Sequence, residues 1–250
     1  MPSKQKQRLD LTIVKKGLAE SRQRAQALIM AGRVLVGRQV IDKPGALIFD
    51  SVDISIKGKD IPYVSRGGFK LEAALKSFEL NVKDFICLDV GASTGGFTDC
   101  LLQHGASFVY AVDVGYGQLA WKLRLDRRVA VIERTNIRYM TAEIIKQPVD
   151  LITIDVSFIS LKIVVPSILR FIKNRSGIIA LIKPQFEVGK GRVGKGGIVR
   201  DPTLHDKVIN DLSDFFSAKG LFCKSLISSP ILGSKGNKEF IVFLEYKKEA

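Results

Sequence analysis

The apolar run Phe85-Ile86-Cys87-Leu88 leads into Asp89-Val90-Gly91-Ala92-Ser93-Thr94-Gly95-Gly96-Phe97-Thr98, where bulky side chains disappear for several residues. A strand that breaks into small residues and then opens a helix brings backbone N–H groups against a ligand, and a helix N-terminus favours anionic groups. A nucleotide-like cofactor is the natural occupant. The next apolar run, Phe108-Val109-Tyr110-Ala111-Val112, ends on Asp113, where an acid after the second strand can hold a ribose. Strand, glycine turn, helix, strand and acid make one mononucleotide-binding half.

Spacing narrows the choice of cofactor. A dinucleotide turn requires G-x-G-x-x-G, but Ser93 stands at the middle position and Gly95 and Gly96 adjoin, so a pyrophosphate is poorly matched. S-adenosylmethionine, which has no pyrophosphate, fits better. The expected cofactor contacts are Asp89, Gly91, Ala92, Ser93, Thr94, Gly95, Gly96, Phe97 and Asp113, with Asp155 from a later strand. The letters Gly91 to Gly95 also spell the G-x-S-x-G of a hydrolase elbow, which needs an acid and then a histidine downstream. Of two histidines, His104 lies on the helix just opened and only His205 remains. Hydrolase, dehydrogenase and plain glycine turn stand as alternatives.

The 250 residues, 46% of them hydrophobic, suffice for one ordinary domain plus a small one. A net charge of +14 favours a polyanionic partner, with nucleic acid and anionic membrane as the candidates. Cys87, Cys100 and Cys223 are odd in number and widely spaced, so neither a disulfide framework nor a metal site is indicated, and a cytoplasmic location is expected. The basic N-terminus has no apolar stretch behind it, and the greasiest segment, 151–172, is interrupted by Asp155, Lys162, Pro166 and Arg170. Neither secretion nor membrane spanning is expected.

Residues 1–60 differ in texture from the rest. Ser21 reads as an N-cap, Ala25, Leu28 and Ile29 as the buried stripe of a short helix, and Gly32 as its end. Val34-Leu35-Val36, the segment through Val40-Ile41, and alternating Val52, Ile54 and Ile56 read as strands, with Lys43-Pro44-Gly45 as a turn. Arg8-Leu9-Asp10, Gly17-Leu18-Ala19-Glu20-Ser21-Arg22, Leu28-Ile29, Gly32-Arg33-Val34-Leu35-Val36 and Lys43-Pro44-Gly45 together resemble the RNA-binding domain named after ribosomal protein S-four, with Gly37-Arg38 replacing the usual Asn-Gly turn. The resemblance implies RNA contact through Arg8, Arg22, Arg24 and Arg33, with Arg66 added from the joint. Arg8-Leu9-Asp10 also matches the catalytic aspartate context of pseudouridine synthases, but it precedes the small domain's helix, where Asp10 reads as a helix cap.

Residues 61–66 form a linker, and 67–250 a second domain. After a helix from Phe69 to about Glu79, strands are expected at 85–90, 108–113, 128–132, 150–155, 177–182, 221–228 and 239–245. Helices are expected near 95–104, 117–124, 160–172 and 203–218. The fold class is α/β, a Rossmann-like, mostly parallel seven-stranded sheet whose last two strands form a hairpin-like antiparallel edge, preceded by a small α+β domain.

Ligands bind such sheets at the carboxyl ends of the strands. Four polar residues stand there or nearby: Lys70 on the entering helix, Asp155, Lys183 and Glu239. Their order and settings, Ser65-Arg66-Gly67-Gly68-Phe69-Lys70, Thr153-Ile154-Asp155-Val156-Ser157-Phe158, Leu181-Ile182-Lys183-Pro184-Gln185-Phe186-Glu187 and Asn237-Lys238-Glu239-Phe240, resemble the tetrad of FtsJ-like ribose 2′-O-methyltransferases. With the N-terminal domain, the whole chain is similar to the TlyA family, often labelled hemolysin A. That resemblance implies S-adenosylmethionine as methyl donor, cytidine 2′-hydroxyls of ribosomal RNA as acceptors, and ribosomal RNA or assembled ribosomal subunits as partners. Lys183 is the candidate base, Lys70 the neighbouring cation, and Asp155 and Glu239 the groups that hold the ammoniums and the acceptor ribose.

Gly189-Lys190-Gly191-Arg192-Val193-Gly194-Lys195-Gly196 nearly spells a phosphate-binding loop, but Gly196 replaces the magnesium-binding hydroxyl, so a basic flap over cofactor or RNA is expected. Gly115-Tyr116-Gly117-Gln118 is a candidate to pack on the adenosine. The rival functions are a pore-forming hemolysin, for which neither a spanning helix nor barrel strands are visible, and an RNA-binding module that has lost catalysis. The oligomeric state is not specified by the sequence.

Overall fold

The structure, a computed structural model, describes residues 6–19, 21–30, 32–37, 39–57, 62–189 and 191–247. Glu20, Arg38, Ile61 and Lys190, each part of an expectation above, lie outside the described residues. The chain divides into two compact units, Met1–Asp60 and Ile61–Ala250.

The first unit runs β1 (Lys6–Arg8), α1 (Leu9–Lys15), α2 (Arg22–Met30), β2 (Val34–Val36), β3 (Gln39–Val40), β4 (Leu47–Phe49) and β5 (Ile54–Ile56). β1 and β4 make an antiparallel ribbon, and β3-β2-β5 a small antiparallel sheet. Leu9 and Ile13 of α1 and Ala25, Leu28 and Ile29 of α2 meet Val34, Ile48 and Ile54 in one core. Ser21 caps α2, its Oγ accepting the Arg24 N–H at 3.1 Å. The ribbon and α1 were not legible in the sequence, because Thr12, Ile13 and Val14 are β-branched and disfavour helix locally.

Asp10 is not a cap. The N-cap position of α1 is Arg8, and Asp10 lies in the first turn with its carboxylate fully buried. Arg8 donates to both of its oxygens at 3.0 Å, Arg22 Nε at 3.0 Å, Gln26 Nε2 at 2.9 Å and the Leu11 N–H at 3.0 Å. A carboxylate satisfied by cations in this way ties both helices and the ribbon together. The Arg8 guanidinium holds the Asp10 carboxyl well below the usual carboxylate range. Because the folded state depresses this acid, its contribution is present above the unfolded pKa and is lost as pH falls below about 4.

The second unit runs α3 (Gly67–Ser77), β6 (Ile86–Val90), α4 (Gly96–Gln103), β7 (Phe108–Val112), α5 (Trp121–Arg124), β8 (Val129–Ile132), β9 (Val149–Ile154), α6 (Leu161–Ile168), β10 (Ile172–Ile182), α7 (Pro184–Glu187), α8 (Pro202–Ser217), β11 (Leu221–Ser228) and β12 (Phe240–Tyr246). Its seven strands are ordered β11-β12-β10-β9-β6-β7-β8. One face packs on α6 and α8 through Ile152, Ile178, Val208 and Leu212; the other packs on α3 and α4 through Leu71, Leu75, Leu101 and Leu151. Burial on both faces is why the central strands read as continuous apolar runs.

The last two strands form the expected antiparallel pair at the edge of the sheet. β12 inserts between β10 and β11, antiparallel to both, leaving β11 as the edge. Its Phe240, Val242 and Leu244 enter the core under α8, and an edge position would have left them half in water. α5 is shorter than expected because Gly117 turns the chain at a φ of +71°, outside helical space. β10 begins at Ile172, pairs with Val149 there, and resumes its register at Gly177 after an irregularity, which ends the α6 region early.

Strand register assembles the site. Val90 of β6 pairs with Ile154 of β9, so Gly91 and Asp155 leave the sheet side by side. Ile182 of β10 pairs with Phe240 of β12, which sets Lys183 beside Glu239.

Candidate active site

A cleft of about 350 Å³ opens at these strand ends, lined among others by Lys70, Gly91, Phe97, Asp155, Lys183 and Glu239. The four expected polar residues come together as two ion pairs. Lys70 Nζ lies 2.6 Å from Glu239 Oε2, and Lys183 Nζ lies 2.5 Å from Asp155 Oδ1. Lys183 also donates to the Val156 carbonyl at 2.9 Å and the Ser157 hydroxyl at 3.1 Å. Lys70, Lys183 and Glu239 are all buried, whereas the Asp155 side chain keeps 22% of its surface open toward the cleft. Three oxygens around Lys183 Nζ match the three donors of an ammonium, so its direction is fixed before any substrate arrives.

The turn before α4 forms a cradle. Gly91 has a φ of +85°, and a Cβ there would lie 2.7 Å from the Asp155 carbonyl oxygen. At Gly96 a Cβ would run into the Ser65 hydroxyl, so the N-terminus of α4 can approach the start of α3 only without a side chain. Gly91, Ala92, Ser93, Thr94, Gly96 and Phe97 line the cleft. Gly95, at φ +98°, caps α4 from behind, where a Cβ would meet Leu119 and Leu123.

Asp113 lies at the end of β7, its Oδ2 accepting the Ser93 N–H and its Oδ1 the Gly115 N–H, each at 2.7 Å. Each oxygen retains a lone pair for a ligand hydroxyl. Tyr116 is exposed with the Arg134 guanidinium 4.1 Å from its ring centroid. Buried Gln185 Oε1 in the cleft wall has no hydrogen-bond partner among the described residues. A glycine cradle, a neighbouring acid and an orphaned acceptor fit a nucleoside carrying polar substituents, as S-adenosylmethionine does.

Asp89 is placed elsewhere than expected. It is fully buried and does not face the cleft; Thr98 donates to it at 2.6 Å and Thr153 at 3.0 Å. It braces β6, β9 and α4 beneath the turn. Burial pushes its carboxyl up to about 6. A raised folded pKa means that its contribution is full below the unfolded value and lost as pH rises from about 4 to 6. Asp89→Asn is therefore expected to flatten the fall in unfolding free energy across that window, measured by urea melts at several pH values. An unchanged slope would contradict the assignment.

Of the expected RNA contacts, Arg66 is exposed at the cleft rim. Arg8 and Arg22 are half exposed while bound to Asp10, and Arg33 Nε donates to the Lys57 carbonyl at 2.9 Å. Arg24 is half-buried on α2. The glycine-rich loop is tied rather than loose at its far end: Asn237 donates to Gly197 O at 2.9 Å and accepts the Val199 N–H at 3.1 Å.

Sequence reasoning missed Ser157, Gln185 and an aromatic pair at the mouth. Phe158 is 90% exposed at a φ of +64°, rare for a bulky residue, with its ring 5.0 Å from that of Phe186, which lines the cleft. An exposed phenylalanine held in a strained backbone beside a site was a signal only the structure could give.

The chain matches the family described as FtsJ-like methyltransferase over residues 63–246 and the S4 domain over residues 7–48. It is 52% identical to the Bacillus subtilis protein named "Putative rRNA methyltransferase YqxC", covering 98% of this chain and 87% of that one. It is 44% identical to the Mycobacterium tuberculosis protein named "16S/23S rRNA (cytidine-2′-O)-methyltransferase TlyA", covering 95% of this chain and 89% of that one. A solved structure titled "Putative hemolysin from Streptococcus thermophilus" superposes with a TM-score of 0.78 at 44% identity, covering 99% of this chain and 90% of that one.

Proposed function

Because the chain belongs to the FtsJ-like methyltransferase family and carries an S4 domain ahead of it, we propose that it methylates the ribose 2′-hydroxyl of cytidine in ribosomal RNA. The observation that carries this reading is the pair of buried ion pairs, Lys70 with Glu239 and Lys183 with Asp155, in one cleft with the glycine cradle. No helix among the described residues is long and apolar enough to cross a membrane.

S-adenosylmethionine, when bound, supplies a sulfonium methyl already activated for displacement. Residues Gly91 to Phe97 would hold the cofactor by backbone contact, and Asp113 would accept hydrogen bonds from its ribose hydroxyls. The chain's remaining task is to place a poor nucleophile in line and to remove one proton. Asp155 and Lys183 would hold the acceptor hydroxyl in line with the donor methyl, and Lys183, once it has released one proton to water, would take the hydroxyl proton as the free amine, with Asp155 orienting the ammonium that results. Lys70 and Glu239 fix the opposite wall and orient the acceptor ribose. Phe158 and Phe186 give the acceptor base an aromatic surface at the mouth. Arg8, Arg22, Arg24, Arg33 and Arg66 contact RNA phosphates. With ribosomal RNA or assembled ribosomal subunits as substrate, the enzyme works in the cytoplasm.

Mass mapping of ribosomal RNA from cells with and without this chain tests the reading: a 2′-O-methylated cytidine should vanish on deletion, and an unchanged methylation map would refute it. For the cofactor site, calorimetry on Asp113→Ala should show S-adenosylmethionine affinity weakened by about 1.5–3 kcal/mol, the usual value for a charged hydrogen-bond acceptor. Wild-type affinity in that variant would remove Asp113 from the site.

A further inference from the structure

The outward face of the β1–β4 ribbon in the N-terminal unit carries an unpaired aromatic among cations. In an antiparallel pair, directly opposed residues share a face. Lys6 opposes Phe49 and Arg8 opposes Leu47, so these four project together, while Gln7 and Ile48 point the other way and Ile48 enters the core. Leu47 is 63% and Phe49 37% exposed. Lys6 Nζ sits 5.0 Å from the centroid of the Phe49 ring. Among the described residues the ribbon face holds two cations and no carboxylate; of the acids flanking the ribbon in sequence, Asp10 is buried beneath Arg8 and Asp50 is bound to Lys15 at 3.2 Å.

We propose that this ribbon face is a stacking platform for an unpaired RNA nucleotide, with the base on Phe49 and Leu47 and its phosphates on Lys6 and Arg8. The inference rests on the reading of the chain as an RNA-modifying enzyme. Stacking on an exposed ring flanked by cations is how single-stranded nucleic acid is held without base-specific hydrogen bonds. Charge complementarity selects the occupant. A second copy of the chain would set Lys6 and Arg8 against Lys6 and Arg8, and like charges across an interface are costly. One phenylalanine and one leucine are too little apolar surface for a lipid bilayer. An unpaired nucleotide supplies both a ring and a negative charge.

The test uses the full chain with ribosomal RNA and with a labelled single-stranded RNA oligonucleotide of mixed sequence. Phe49→Leu keeps the apolar character and removes the ring. It should weaken RNA binding by about ten-fold, the scale of one lost base–aromatic stack, and leave the salt dependence of binding unchanged. Phe49→Trp should bind as wild type, and Lys6→Ala should reduce the salt slope by about one. S-adenosylmethionine affinity and the rate at saturating RNA should be unaffected in all three, and melting curves check that the unit remains folded. Wild-type RNA affinity in Phe49→Leu would overturn the platform. So would a change in the sedimentation of free protein with RNA affinity intact, which would make the face a self-association surface. Failure of the underlying reading looks different, since the wild-type chain itself would then methylate no RNA.

Discussion

Lys183→Ala is expected to lower the single-turnover rate of methyl transfer by about 10²–10⁴-fold, the usual cost of removing general-base help. Cofactor and RNA affinity should remain near wild type, because Lys183 bonds Asp155, the Val156 carbonyl and Ser157 rather than the glycine cradle. The loss arises at one atom. Lys183 Nζ is held by Asp155, the Val156 carbonyl and Ser157, and without it the cleft loses the amine that takes the proton of the acceptor hydroxyl. Lys183→Arg should rescue little, since a planar guanidinium cannot occupy the same three-oxygen nest. A near-normal rate in Lys183→Ala would take Lys183 out of the chemistry.

Lys70→Met is expected to destabilise the catalytic unit by about 3–5 kcal/mol, the cost of leaving one partner of a buried ion pair uncompensated. Glu239 is 3% exposed and has Lys70 at 2.6 Å, and its carboxylate packs so closely against Gly233 that a side chain there would collide with it. The double variant Lys70→Met with Glu239→Gln should recover much of the stability while remaining inactive. Denaturant melts of wild type, Lys70→Met, Glu239→Gln and the double variant measure the coupling. Equal stability of Lys70→Met and wild type would show that the pair is not closed in solution.

The catalytic unit was far more legible in the sequence than the small one. Strands β6, β7 and β9 are buried on both faces, so Ile86 to Val90, Phe108 to Val112 and Val149 to Ile154 stand out as mostly apolar runs, with Asp113 directly after β7, Asp155 directly after β9 and Lys183 directly after β10. What the sequence left open or misplaced was long-range or two-sided. The antiparallel edge pair of β11 and β12 was expected, but which of the two lies inside, against β10, depends on pairing across the whole unit, and no local pattern in Phe240 to Tyr246 distinguishes an edge from a central strand. Asp89 looked like a ligand contact because it adjoins the glycine turn. Alternation along β6 instead turns it inward, onto Thr98 and Thr153. Asp10 misled for the opposite reason: its partners Arg22 and Gln26 lie a helix away, and a carboxylate before an apolar stretch reads as a cap when those donors are unseen.

Methyl transfer by the purified chain, followed with methyl-labelled S-adenosylmethionine and ribosomal RNA and located by nuclease digestion and mass spectrometry, tests the central claim most directly. The account predicts label on the ribose 2′-oxygen of cytidine in the wild-type reaction and its loss in Lys183→Ala. Label on a base, or no incorporation by the wild-type chain, would contradict it.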